Sequence, residues 1–507
     1  MILHQTKLKG LFSGRVISKK PRLFSSTKPE ISDAFGETFD PFQIKNASLS
    51  SQPEFIPISK GCLPPASGVS VKKLGSGFTF VAINEPVPIT TMSLFVKAGS
   101  RFEDDRSVGA SHFLKRLAFR STEKKYYYPL IRDMDVLGSE LGSLNTREHV
   151  GYFITGMRSE MKSMAQTLGA IWEPRLEEWE VERVRQEVKD ESNLAQSNPK
   201  QILFDLVHYE AFRDQGLANS TFAPLYSVDQ IDPLILRKYV NTHYAPSRIT
   251  IVGNGASMED LQSMVEYFEP FDIRGLIEKS VNHFREDFFS VLMKPGTIYD
   301  AKQTYVGGGE VRVPGSGSTQ IVVASEGIGA NKDIASQISA SIIQNVLGGG
   351  SSSLRGIIPG LGRQSRLGRD AFHAGGWIRE IFAFNFSYSD SGLFGIYANA
   401  STGNVKSICD IIGNQIRSLE NIKDEEIARA RAQLKSSFLS RMYSDRLAAA
   451  EFYTSQVNNT GSAMTPIEYA SEIDKVDTKT ILETAKQIAS SKLTVAAFGD
   501  IKGLPKF

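Results

Sequence analysis

The sequence is poor in cysteine: Cys62 and Cys409 are the only two among 507 residues. A disulfide framework and a four-cysteine zinc site are both excluded. No run of 18 or more predominantly apolar residues occurs, so no transmembrane helix is expected. Acidic residues are missing altogether from positions 1–29, where Lys7, Lys9, Arg15, Lys19, Lys20, Arg22 and Lys28 interleave with Leu8, Leu11, Phe12, Val16 and Ile17. That composition predicts a mitochondrial presequence over 1–24. Its removal leaves 52 basic against 56 acidic side chains, from the 58 and 56 of the whole chain. A mildly acidic mature chain argues against a nucleic-acid partner. What remains is ordinary globular composition, 41% hydrophobic and 22% charged, long enough for two or more domains.

Residues 25–67 are polar, proline-containing and aperiodic, and read as an extended N-terminal segment. From Val71 onward β-rich runs appear at 78–83 and 91–96, followed by an amphipathic helix expected over about 108–119. A second long helix is expected over Asp424–Phe452, with Ile427, Leu434, Phe438, Met442 and Ala449 on one stripe.

An internal repeat organises the rest. Val181, Arg183, Arg185, Val188 and Lys189 match Ile427, Arg429, Arg431, Leu434 and Lys435 at an offset of 246. Val228–Asp232 matches Ile473–Asp477 at 245, and Ser247–Ile251 matches Ser491–Val495 at 244. Ordered matches at a near-constant offset predict a duplication: sister domains over 68–280 and 303–507, joined by a linker over 281–302. Strands and helices mix without βαβ alternation, so the expected class is α+β, a mixed sheet packed with helices in each half.

One histidine stands out: His112-Phe113-Leu114-Lys115-Arg116 follows Gly99-Ser100-Arg101-Phe102-Glu103-Asp104. Together with the duplication, this resembles the pitrilysin/insulinase-type metallopeptidases, whose active members carry H-x-x-E-H here. The resemblance implies two helix histidines and a distal Glu on zinc, with the motif Glu activating water. Here His112 holds the first ligand position, Lys115 replaces the base, Arg116 replaces the second histidine, and Glu191 stands at the distal position. The expectation is a degenerate site with no catalytic residue, no metal and no cofactor, since an ammonium cannot replace a carboxylate base. Nothing in the chain is suited to ligate haem or an iron–sulfur cluster.

Phe384-Asn385-Phe386-Ser387-Tyr388-Ser389-Asp390-Ser391-Gly392-Leu393-Phe394-Gly395-Ile396-Tyr397, with Arg147-Glu148 and Trp179-Glu180-Val181, narrows the resemblance. It is similar to the mitochondrial branch that holds processing-peptidase α subunits and respiratory core proteins, with Phe394–Tyr397 on the core-protein side. That branch implies a non-catalytic subunit peripheral to the inner membrane on the matrix side, paired with a β-like subunit of the same family. The glycine-rich stretch 348–367 lacks Gly-Lys-Ser/Thr and so is no phosphate loop; a surface loop or a presequence-peptide contact are its two readings. Lys124–Tyr128 reads as interface or domain surface.

Overall fold

The computed structural model describes residues 67–268, 300–348 and 365–505, apart from positions 86 and 316. The expected presequence, nearly all of the segment 25–67, most of the linker and most of the glycine-rich stretch lie outside the described residues.

The chain is α+β and built of two sister domains. In the first half β1 (Ser67–Lys73), β2 (Thr79–Asn84), β3 (Ile89–Val96), β4 (Glu140–Asn145), β5 (Val150–Met157) and β6 (Ile249–Asn254) form a sheet in the order β1-β2-β6-β3-β5-β4. In the second half β7 (Glu310–Pro314), β8 (Thr319–Glu326), β9 (Ile378–Ser387), β10 (Gly392–Ala400) and β11 (Thr494–Gly499) form a sheet in the order β7-β11-β8-β10-β9. The closing strands β6 and β11 hold equivalent places. Each pairs parallel to one neighbour, β2 or β7, and antiparallel to the other, β3 or β8.

Helices α1 (Ala110–Arg116), α2 (Tyr127–Val136), α3 (Met161–Ile171), α4 (Glu178–Ser197), α5 (Pro199–Phe212), α6 (Leu225–Val228), α7 (Pro233–His243) and α8 (Met258–Ser263) belong to the first half. The second half carries α9 (Ile334–Leu347), α10 (Arg366–His373), α11 (Val405–Arg417), α12 (Asp424–Ser444), α13 (Arg446–Thr460), α14 (Pro466–Lys475) and α15 (Thr478–Ser490).

The repeated residues do the same work in both halves. Lys189 pairs with Asp229, and Lys435 with Asp474. Arg185 donates to the Ile231 carbonyl at 2.9 Å, and Arg431 to the Val476 carbonyl at 2.6 Å. The sequence repeat is thus the staple that holds the long helix of each half to the turn before its last helices.

Both sheets bury both faces, which is why their central strands read as continuous β-branched and aromatic runs rather than alternating ones. Each half supplies the cover for one face of its sister's sheet. Phe204 and Val207 of α5 pack on Val322, Phe384 and Tyr397 of the second sheet. Ala449, Tyr453 and Val457 of α13 pack on Val81, Phe95 and Val252 of the first. Two sequence expectations change as a result. The helix expected over 424–452 is broken at Asp445, which is extended (φ −120°, ψ 100°) and caps α13 by accepting the Ala448 N–H. Asn198 breaks α4 from α5 in the same way, accepting the Lys200 N–H. A capping side chain competes with the helix backbone, and the break lets the next helix cross to the opposite sheet. The helix expected over 108–119 is also shorter, ending at Arg116, with Phe119 at φ +59° beyond it.

Candidate functional site

Helix α1 starts under constraint. Glu103 is buried and its carboxyl accepts the Gly109 and Ser111 N–H groups at 2.8 Å each, and the Ser111 hydroxyl at 2.6 Å. Burial pushes this carboxyl up to about 7 against those stabilising bonds. Gly109 sits at φ +96°, and a Cβ there would lie 2.5 Å from that of Ala223, so α1 begins hard against the 222–223 segment.

That placement fixes His112, which is 1% exposed. Its Nδ1 accepts the Ala223 N–H at 3.2 Å, its ring meets Phe222 edge-on at 5.4 Å, and its Nε2 lies 2.7 Å from Glu191 Oε2. With Nδ1 an acceptor, the proton of the neutral ring is on Nε2 and is donated to Glu191. Burial, then the nearby Lys115 and Arg116 charges, lower the imidazole to about 3, so it is neutral near pH 7. Lys115 Nζ lies 3.5 Å from Glu191 Oε2, and the Arg116 guanidinium pairs with Oε1. The Lys115 ammonium is itself lowered by burial and then by Arg116.

The structure therefore brings together all four sequence-flagged residues, as three donors closed on one carboxylate that tie α1 to α4. They do not fit Zn²⁺. A hydrolytic zinc needs three protein ligands and an open position. Here one carboxylate is shared by two cations, and the histidine nitrogen facing it carries a proton. A carboxylate to activate water is missing from the Lys115 position. Among the described residues no cluster of three His, Cys, Asp or Glu could hold a metal ion.

A second cluster was not singled out by sequence. Arg101, buried, donates to Glu148 Oε1, Asp390 Oδ1 and Ser389 Oγ, each at 2.8 Å. Glu148 in turn accepts the Ser389 N–H at 3.0 Å. Three separate stretches used for the family resemblance thus meet at one ion-paired bolt between the halves. By contrast, Phe394 and Tyr397 are buried core, with the Tyr397 hydroxyl donating to Gln320. In the Lys124–Tyr128 stretch, Lys124 donates to the Gly169 and Tyr267 carbonyls while Tyr126 and Tyr128 are exposed.

Comparison with known proteins bears on this directly. Residues 79–225 match the model for insulinase (peptidase family M16), and residues 230–434 match that for the peptidase M16 inactive domain. Mitochondrial-processing peptidase subunit alpha-2 of Dictyostelium discoideum is 30% identical over 440 residues, 87% of this chain and 92% of that protein. The chain belongs to peptidase family M16. Cytochrome b-c1 complex subunit 2 of Mus musculus is 27% identical to this M16 chain over 439 residues, covering 85% of it and 90% of the relative. Mitochondrial-processing peptidase subunit beta of Neurospora crassa is 27% identical over 461 residues, 88% and 92% of the two chains. The M16 relatives thus include both respiratory-complex and processing-peptidase subunits.

Buried Glu103 and Ala223 were illegible as site residues in the sequence. A buried carboxyl and a backbone N–H donor carry no local pattern.

Proposed function

We propose that this M16 chain is a non-catalytic, matrix-side core subunit of mitochondrial ubiquinol–cytochrome c reductase (complex III). It pairs with core protein 1, a processing-peptidase β-like subunit, and supports assembly around cytochrome b, cytochrome c1 and the Rieske subunit of the dimeric complex. The observation that carries the non-catalytic reading is Glu191, whose carboxylate is closed by His112, Lys115 and Arg116. A carboxylate held by two cations and a neutral N–H is a structural tie, so surfaces are left to carry the function. The match to the mouse cytochrome b-c1 subunit along 439 residues supports the complex III assignment. Among the described residues no helix is long and apolar enough to cross a membrane, in keeping with peripheral attachment.

A second reading has its own support. The 30% identity to a processing-peptidase alpha subunit favours a presequence-binding partner for a zinc-bearing β subunit. Affinity purification of the endogenous chain from detergent-solubilised mitochondria separates the two. Complex III predicts co-purifying cytochrome b and c1, and loss of ubiquinol-to-cytochrome c activity on depletion while precursors are still cut. Recovery with an H-x-x-E-H subunit alone, and accumulation of uncut precursors, would instead establish the processing-peptidase reading.

A further inference from the structure

Glu180 of α4 and Glu426 of α12 stand at sister positions, 246 residues apart, and are satisfied differently. Glu180 accepts the Ser121 N–H at 3.2 Å and the Ser121 hydroxyl at 2.7 Å, both neutral donors. Glu426 is closed instead by Arg366, which is 7% exposed. Arg366 Nε donates to Oε1 at 3.1 Å, and its Nη2 to Oε2 at 2.6 Å. The same guanidinium donates to the Ser418 carbonyl at 2.9 Å and the Asn421 carbonyl at 2.8 Å. The fold therefore needs only hydrogen-bond donors at this carboxylate, and Arg366 alone completes the tie.

Three more cations crowd the same carboxylate. Arg369 on α10 gives one N–H to Oε1 at 3.2 Å, while its side chain is 53% exposed. Lys423 is exposed just before α12, and Glu426 accepts its backbone N–H rather than its ammonium. Arg429, one turn along α12, is half-buried with Nε and Nη2 enclosed, so it acts here through its charge. Burial lowers the Arg429 guanidinium; Glu426 opposes this, and Arg369 and Arg366 lower it further. With Glu425, these side chains wall an open cleft of about 500 Å³. Among the described residues of that wall, four cations face two carboxylates and leave a net charge of +2. The whole chain is near neutral, so the excess is local to the cleft. Like charges held this close are unfavourable until an anion joins them.

We propose that this cleft binds a phosphomonoester, whose oxygens accept from the open part of the Arg369 guanidinium and from the Lys423 ammonium. Arg429 adds its charge from the wall. A phosphomonoester carries about −1.5 to −2 at pH 7, which matches the excess, and its three oxygens suit donors arriving from two elements. A monocarboxylate would balance only about half of that charge. The same chemistry arrives in two forms, as a free small phosphomonoester or as the headgroup of phosphatidic acid.

The test has two arms on the full chain. Isothermal titration with glycerol 3-phosphate, against acetate at equal ionic strength, reads the soluble form. Cosedimentation with phosphatidylcholine vesicles, with and without phosphatidic acid, reads the lipid form. Saturable binding in either arm, at least about tenfold tighter than acetate, supports the site, and the tighter arm identifies the source. Arg369→Gln with Lys423→Gln should weaken that binding at least about tenfold while the unfolding midpoint is retained; Arg369→Gln alone reads the same point should the double variant not fold. Arg132→Gln removes a cation that is 75% exposed on the first half and should leave binding unchanged. No saturable binding in either arm, equal binding of acetate, undiminished binding in the folded Arg369 variants, or an equal loss in Arg132→Gln would overturn the proposal.

Discussion

Replacing Arg101 with methionine tests how the two halves are held together. The wild-type guanidinium side chain is 3% exposed and bridges Glu148 and Asp390, each 13% exposed. Arg101→Met keeps most of the side-chain volume but leaves two buried carboxylates facing each other without their counter-charge. Removing one partner of a buried pair costs about 3–5 kcal/mol. Part of that is offset here, because Asp390 still accepts the Gln303 N–H at 2.7 Å and Glu148 the Ser389 hydroxyl at 2.6 Å. About 3 kcal/mol is therefore expected, which for an m-value near 3 kcal/mol/M lowers the urea midpoint by roughly 1 M. Adding Glu148→Gln and Asp390→Asn should recover more than half of the loss, since no uncompensated charge is then buried. Arg101→Lys should fall between, because it keeps the charge but not the planar fork. Equilibrium unfolding followed by far-UV circular dichroism and tryptophan fluorescence reads all three. A midpoint shift under about 0.3 M for Arg101→Met, or no recovery in the neutralised variant, would refute the reasoning.

Three further outcomes are expected. His112 titrates in the fold at about 3, below its ordinary 6.5. Its contribution is therefore fully present above pH 6.5 and lost as pH falls, by up to about 2 kcal/mol at pH 5. His112→Gln should show a correspondingly shallower acid slope in urea titrations from pH 7 to 5, and an identical slope would contradict the buried neutral ring. Metal analysis of the purified chain should find no stoichiometric zinc. Lys115→Glu with Arg116→His should still not bind it tightly, because the Ala223 N–H occupies His112 Nδ1; one zinc per chain in that variant would sink the tautomer assignment. Terminal sequencing of the chain from mitochondria should begin near Ser25, after Arg22-Leu23-Phe24, and an intact Met1 would rule out the presequence.

The sequence by itself determined what depends on chain-local pattern. The duplication was legible because Arg185 and Lys189, and their partners Arg431 and Lys435, make the same bonds in each half, so both copies retain the same residue types at one spacing. The altered motif was legible because His112, Lys115 and Arg116 fall at the H-x-x-E-H spacing within one helix. The α+β class followed from the order of β-rich and amphipathic runs. Tertiary structure decided what depends on partners distant in sequence. Asp445 reads as one polar residue within a helical stripe, and only the opposite sheet gives a reason for the chain to break there and send α13 across. The proton on His112 Nε2 is set by the Ala223 N–H, 111 residues away. Arg101, Glu148 and Asp390 stand in three separate stretches of the sequence, and only folding brings them together as one buried bolt. Periodicity and spacing report on an element's own backbone, whereas burial, protonation and cavity volume are properties of the neighbours that the fold supplies.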